Sequence, residues 1–433
     1  MRTEDNPALS YALSRPDPCI VLFVWPEGIG KRSQVWLKRA LDDFKATLEQ
    51  YGVDVVIRKG EPEQVIKKVI AERRATGLFW NRSYEPKERL LEKKVSSFSV
   101  ECQSFPGNVL FEPDTIATSQ HKPFQVFTPF YNLLCKLQPE KPCLFRSDVR
   151  KPVFVPSDAI EVADEPGLWN YWDPTSRGRD RLVAELVRDK LIAYEEKRNE
   201  PALNGVSRLS PYLHFGQLSV RSLWYAIQGT GVGDFFLREL VWREFAIHLL
   251  YHFPDMQEQP LDRRFLRFAW QTNPEHFGAW CKGMTGYPMV DAGMRELKET
   301  GWMHNRVRMI VASFLVKHLL ISWKEGAEWF MQSLVDADVA NNTMNWQWVA
   351  GCGPDAAPYF RIFNPTLQAK KFDPEGHYIK RFVPELAHLS VAEIHEPWHS
   401  PGCAPLYPVP IVQHDFARKR ALAAFAKISS KVF

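Results

Sequence analysis

Apolar and polar positions along this chain change their period part-way, and the change predicts two kinds of architecture. Between residues 19 and 95 short apolar runs alternate with amphipathic stretches. The β-branched run over 19–24 predicts a strand, the helical stripe over 33–48 an amphipathic helix, and 53–57 a second strand. A helix over 62–73 follows, with Pro62 near its first turn, then a short strand over 77–80 and a charged helix over 87–95. Alternation of this kind builds βαβ units and a parallel sheet. The segment over 6–13 reads as a helix with no strand before it. A doubly wound sheet places a buried strand there, so the first strand of this sheet is missing from the pattern. The native chain is therefore expected to begin upstream, or this form to be truncated, and loss of a central strand is expected to be severely destabilising.

From 131 to 165 the pattern becomes irregular and proline-rich, which predicts a long connection. After Gly167 the apolar positions recur at helical spacing over 180–197, 232–251, 290–300, 305–320 and 327–334. The basic stretch 416–427 reads as an exposed amphipathic helix. The expected architecture has two domains, an N-terminal α/β Rossmann-like parallel sheet over 1–130 and an all-helical domain over 166–433, joined by a linker over 131–165.

Composition narrows the class. A chain of 433 residues with 45% apolar content has material for large cores and is too long for one ordinary domain. No apolar run reaches membrane-spanning length, and the N-terminus lacks a signal-peptide stretch. Seven scattered cysteines without a CxxC give neither a zinc ribbon nor a disulfide framework, so a reducing, cytoplasmic setting is expected. A net charge of +4 does not by itself imply nucleic acid. His248 and His252 have a spacing able to bind metal, but neither an acidic third ligand nor a Glu after the first His accompanies them, and no metal site is expected.

Several patterns carry candidate chemistry. Small hydroxyl residues over 205–211 precede a helical segment, an arrangement that holds a phosphate or simply caps a helix. Glu239, Trp242 and Arg243 share one helical face, and Trp302, Asn305 and Met309 share another. Such stripes usually mean core, but a carboxylate and an amide among aromatic residues also suit a flat, partly polar ring such as a nucleobase. Asp336 and Asp338 fit metal binding, loop solvation or a buried ion pair with Arg308. Trp270, Trp323 and Trp346 are either plain packing or a file of indoles carrying an electron between a buried cofactor and the surface. Trp346 and Trp348, two apart on a helix, point to roughly opposite sides.

In order along the chain stand the 205–211 segment, Glu239-Leu240-Val241-Trp242-Arg243-Glu244-Phe245, Thr285-Gly286-Tyr287-Pro288, Trp302-Met303-His304-Asn305-Arg306, the 336–348 run and the 355–365 run. Together they resemble the flavin domain of the photolyase–cryptochrome family, most of all its class I cyclobutane-dimer photolyases. The resemblance is most specific over 194–385 and extends in register to Val126-Phe127-Thr128-Pro129-Phe130.

The resemblance implies an α/β antenna domain and a helical FAD domain. The implied reaction is blue-light-driven electron transfer from fully reduced, anionic FAD to a pyrimidine dimer flipped out of UV-damaged DNA. It implies that Ser207, Leu209 and Ser210 hold the FAD phosphates, in the segment with Val206 and Arg208, with Tyr194 beside them. Val206 replaces a common hydroxyl residue there, and Phe236 replaces a frequent Trp near the adenine. Arg308 and Asp336 would pair near the isoalloxazine, with Ala337 and Asp338 on the same cofactor and Asn342 at flavin N5. Glu239 and Asn305 would hydrogen-bond the dimer while Trp242 and Trp348 stack along it. Met309, where a proton-donating His marks (6-4) enzymes, favours the cyclobutane dimer. Arg198, Arg243, Arg306, Arg361 and Gln368 would contact DNA, and Trp346, Trp323 and Trp270 would form the photoreduction chain from flavin to surface. An antenna chromophore of folate or deazaflavin type is left unassigned, because Lys87 replaces a frequent Asn, although Glu88 is kept, and the 28–33 loop has no His. A monomer is expected, nucleoid-associated if the source is bacterial. A cryptochrome-type photoreceptor using the same flavin and Trp chain is the alternative, and a light-independent DNA-binding module is a third reading.

Overall fold

The computed structural model describes residues 1–145, 149–355, 360–400 and 402–429. Residues 356–359 of the 355–365 run and 146–148 of the expected linker lie outside the described residues. The chain packs into two compact units, Met1–Leu191 with Ser207–Pro254, and Ile192–Val206 with Asp255–Phe433.

In the first unit four strands alternate with helices: β1 Ile20–Val24, β2 Asp54–Arg58, β3 Gly77–Asn81 and β4 Glu101–Phe105. They pair in parallel, β1 with β2 in the register Ile20↔Asp54 and β3 with β4 in the register Gly77↔Glu101. The pairing direction is the expected one, but the sheet is divided: among the described residues the strands form two separate two-stranded sheets. The consequence shows in burial. Val55, Val56 and Ile57 of β2 are buried, whereas β1 and β3 are half-exposed at every residue, unlike interior strands covered on both faces.

The proline-rich connection adheres to this unit. Val155 and Asp158 donate backbone N–H groups to the Asp54 carboxylate and the Ile57 carbonyl, and the Ser157 hydroxyl accepts the Ile57 N–H. Phe145 meets Tyr51 edge to face at 5.0 Å. Farther on, the helix Asp234–His252 starts at Gly233, whose φ of +112° suits only glycine. It buries Phe236, Leu240, Val241 and Phe245, and the short helix Phe127–Leu134 packs against it through Phe127 and Phe130.

The second unit is helical. The helix Pro288–Thr300 is buried along most of its length and forms the middle of the core. Its start is fixed by Asp291, fully buried, which accepts the Thr285 N–H and hydroxyl, the Gly286 N–H and the Tyr407 hydroxyl. The Thr285–Pro288 motif is therefore scaffold. Gly286 is obligatory in it, because its φ is +80° and a Cβ would lie 2.4 Å from the Val409–Pro410 backbone. The pattern over 305–320 predicts one helix, but the structure breaks it into Asn305–Ser313 and a wider π-helical turn, Phe314–His318. The expected helix over 180–197 is likewise divided, into Ser176–Glu185 and a π turn Leu186–Lys190 in the first unit and the short helix Tyr194–Lys197 in the second. The helices Trp323–Ser333 and Val339–Ala350 follow, and His414–Ser429 ends the described chain.

Candidate active site

The second unit contains an open cavity that encloses about 550 Å³ of empty space when its mouth is counted. Four pieces of chain build it. The Asn305–Ser313 helix contributes Asn305, Arg308 and Met309, the Trp323–Ser333 helix and its end Phe330 and Leu334, the connection after that helix Asp336, Ala337 and Asp338, and the Val339–Ala350 helix Asn342 and Trp346. Ala312, Phe330, Leu334 and Val349 supply apolar wall. Eight residues singled out in the sequence thus line one cavity.

Local chemistry explains the arrangement. Arg308 Nη2 donates to both Asp336 carboxylate oxygens at 3.1 and 2.9 Å, while its Nε donates to the Met303 carbonyl at 2.8 Å. The Asp336 side chain is 3% exposed, so the carboxylate depends on this guanidinium, and removing the Arg would strand a charge out of water. Asp338 caps the Val339–Ala350 helix, accepting the Asn341 N–H at 2.8 Å. Asn342 Nδ2 donates to the Ala327 carbonyl at 3.0 Å, which leaves its amide oxygen and one N–H to offer. A carboxylate pair, an amide and an indole around an apolar wall suit a flat heteroaromatic ring with polar edges.

The three tryptophans belong to one apolar cluster. Trp346 and Trp323 are both buried, and Trp270 is half-buried with its ring 4.4 Å from Phe268. Two neighbours were missed in the sequence. Trp280, fully buried, meets Trp346 edge to face at 6.3 Å. Gly326 lets the Trp323–Ser333 helix approach Trp346, since a Cβ there would fall 2.1 Å from the indole. Trp348 does not line the cavity; its Nε1 donates to the Asp355 carbonyl at 3.2 Å.

Arg306 lies in a like-charge cluster. Burial lowers its pKa below the usual guanidinium value, and the Arg198 and Arg361 charges lower it further. Its Nη2 donates to Asn199 Oδ1 at 2.7 Å, its guanidinium lies 4.4 Å from the Phe372 ring centre, and its buried Nε has no hydrogen-bond partner among the described residues. Guanidiniums that raise one another's energy are a place for an anion. The Arg361 carbonyl accepts from buried Lys317 Nζ, whose pKa burial lowers to about 7. Gln368 stands half-buried on the Pro365–Phe372 helix.

The remaining sequence candidates stand elsewhere. Tyr194 is buried and Val206 half-buried in the second unit, which meets the first between Val206 and Ser207 along the chain. In the first unit the Ser207 hydroxyl accepts the Leu209 N–H at 3.3 Å, Arg208 has a φ of +57°, Ser210 opens a short helix and Phe236 is buried. Glu239 and Trp242 are half-buried on the Asp234–His252 helix. Arg243 donates at 3.0 Å to Glu244, a buried carboxylate to which the sequence assigns no role and which also accepts the Leu110 N–H. Burial raises the Glu244 pKa to about 7 against the pull of Arg243. His248, on the same helix, accepts the Phe124 N–H at 3.1 Å, and burial lowers its pKa to about 4.

Comparison with known proteins adds to this geometry. The family described as the FAD binding domain of DNA photolyase matches residues 236–427, and the family described as DNA photolyase matches 1–146. The Deoxyribodipyrimidine photo-lyase of Agrobacterium fabrum is 40% identical, over 99% of this chain and 96% of its own. The chain belongs to the DNA photolyase family.

The Escherichia coli Deoxyribodipyrimidine photo-lyase is 37% identical over 98% of this chain and 96% of that one. Among solved structures, a bacterial class III photolyase from Agrobacterium tumefaciens superposes with a TM-score of 0.94 at 38% identity, covering 99% of this chain and 96% of that chain. It is described as class III, where the motifs resembled class I. Membership in the family makes FAD the cofactor, and the lining fits a flavin ring chemically: Arg308, Asp336 and Asn342 would suit its polar edges, and Phe330, Trp346 and Val349 its apolar surface.

Proposed function

We propose that this chain is a light-dependent lyase that repairs cyclobutane pyrimidine dimers in DNA. The observation that carries the reading is the cavity holding the Arg308–Asp336 pair, Asp338, Asn342 and Trp346 together in a family whose C-terminal domain binds FAD. Reduced FAD, when bound, supplies the electron that light sends to the dimer. The chain's residues bind and orient. Arg308 and Asp336 set the charge beside the ring, Asp338 and Ala337 line it, and Asn342 offers an oxygen to its edge. Tyr194 and the 206–210 segment are assigned to the phosphates and Phe236 to the adenine.

On the substrate side, Glu239 and Asn305 hydrogen-bond the dimer, Trp242 and Trp348 stack on its rings, and Met309 gives it an apolar contact without a proton to donate. Arg198, Arg306 and Arg361 hold phosphates with Gln368. Arg243 belongs to the same group, with one nitrogen committed to Glu244. Trp346, Trp323 and Trp270 pass an electron inward to recharge the cofactor. The division into an antenna domain over 1–130, a linker over 131–165 and a flavin domain over 166–433 is part of this reading, as are a monomeric state and a cytoplasmic location, nucleoid-associated if the source is bacterial. No described helix is long and apolar enough to cross a membrane.

The test uses reduced, FAD-loaded protein and single-stranded DNA carrying a pyrimidine dimer. Dimer content is expected to fall under blue light and not in darkness. Photoreduction of the flavin without light-dependent loss of dimers would replace this reading with the photoreceptor one.

A further inference from the structure

Trp242 is the flat aromatic surface on the outer stripe of the Asp234–His252 helix, and its plane is not left to chance. Phe127 lies directly against it, ring centres 3.5 Å apart and planes 4° from parallel. Phe127 itself is 1% exposed, whereas Trp242 remains half-exposed. The other ring touching Trp242 among the described residues is Phe245, edge to face at 6.0 Å. One face of the indole is therefore covered by a buried ring, and among the described residues no second ring is stacked parallel on the opposite face.

A full face-to-face sandwich is not the arrangement isolated rings prefer, because the two negative faces repel. Here the surroundings offset that. Tyr131, four residues after Phe127 on the same short helix, stacks on it at 5.7 Å and 24°. The Arg238 guanidinium, four residues before Trp242, lies 5.5 Å from the Phe127 ring centre and 5.4 Å from that of Tyr131. A cation at that range draws π density from both rings. Two helices thus meet through i, i+4 pairs, Phe127 with Tyr131 and Arg238 with Trp242, and Phe127 is also wedged at 5.7 Å against Phe245.

We propose that Phe127 is a positioning residue that fixes the plane of Trp242, so that the indole face turned away from Phe127 is preset to stack on a pyrimidine of the damaged site. An indole free to turn about its two side-chain torsions would lose that freedom only on binding, and the loss would appear as weaker affinity. The inference rests on the proposed stacking role of Trp242. The 126–130 run, which the function otherwise leaves unused, gains a task by it.

A double-mutant cycle in the dark tests this on FAD-loaded protein. The probes are a single-stranded oligonucleotide with one thymine dimer and the same oligonucleotide undamaged. Phe127→Leu is expected to weaken binding of the dimer probe about fivefold and to leave the undamaged probe and the flavin content as they were. In a Trp242→Ala background the same substitution is expected to change dimer affinity by less than about twofold. An equal loss in both backgrounds overturns the proposal, since Phe127 would then act independently of Trp242. If Trp242→Ala alone keeps wild-type dimer affinity, the stacking role of Trp242 fails first and takes this inference with it. Should Phe127→Leu lose flavin, Phe127→Met, apolar and closer in volume but without a flat face, carries the same cycle.

Discussion

Gly326→Ala is expected to damage photoreduction through packing alone. In an ordinary helix interior this exchange stabilises by about 1 kcal/mol, because Ala loses less backbone freedom. At position 326 the added methyl would lie 2.1 and 2.5 Å from two carbons of the Trp346 ring and 2.7 Å from Leu315 Cδ2, where ordinary contact begins at 3.4 Å. Both neighbours are buried, so neither moves without disturbing others. Overpacking of this kind costs about 1–3 kcal/mol, and an overlap above an ångström belongs at or beyond the upper end. The net loss is about 2 kcal/mol, or a fall in thermal midpoint of about 4–8 °C for a unit of this size. The assay pairs thermal unfolding with the rate at which blue light reduces oxidised flavin. Both are expected to fall, and Trp346→Phe, which opens space, is expected to shrink the stability cost of Gly326→Ala. A Gly326→Ala protein as stable as the wild type, photoreducing at the wild-type rate, would refute the reasoning.

Trp270→Phe is expected to block photoreduction of oxidised flavin and to spare repair by protein reduced beforehand; normal photoreduction would mean another electron route. Arg306→Ala is expected to weaken binding to DNA of any sequence and to lower the slope of log affinity against log salt by about one, which titrations at several salt concentrations read directly. Glu244 makes a pH prediction. Its folded pKa of about 7 lies above the free value of 4.5, so the folded state holds a proton that the unfolded state releases across that interval. Stability is therefore expected to fall as pH rises from about 4.5 to 7 and then to level off. Denaturant unfolding at several pH values checks this against Glu244→Gln, in which that component of the slope should vanish.

The parts of the fold that the sequence made legible are those written in local periodicity. β1, β2 and the helices between them follow from runs of β-branched residues and apolar stripes. β4, Glu-Cys-Gln-Ser-Phe, was missed because it has no apolar run to announce it; Glu101 and Gln103 are exposed. The π turn at 314–318 was missed for the opposite reason. The run Phe314-Leu315-Val316-Lys317-His318-Leu319-Leu320 is apolar enough to continue a helix, and what stops it is a positive φ at Leu320, a residue type that seldom marks such a place. Its Lys317 looks like one solvated charge in the sequence, yet it is buried and donates to a carbonyl far along the chain.

The same distinction governs the site. Periodicity constrains residues within a turn or two of one another, so Asn305 and Met309 could be placed on one stripe without knowing what faced them. A partner farther away lies beyond that reach. The Arg308–Asp336 pair spans 28 residues, the Asn342–Ala327 bond 15 and the Leu110–Glu244 bond 134. The first stood in the sequence as one of several readings of Asp336, and the last went unseen because Glu244, although inside a family motif, has nothing near it in sequence that points to Leu110. Phe127 shows the limit most clearly. In the sequence it marks only the register of the resemblance, and nothing near it says that it will lie flat on an indole from another helix. Motifs therefore identify the side chains that meet ligands, whereas those that hold them in place are set by long-range packing. A substitution at Gly326 or Phe127 is the informative kind of test, since it reaches the function only through the fold.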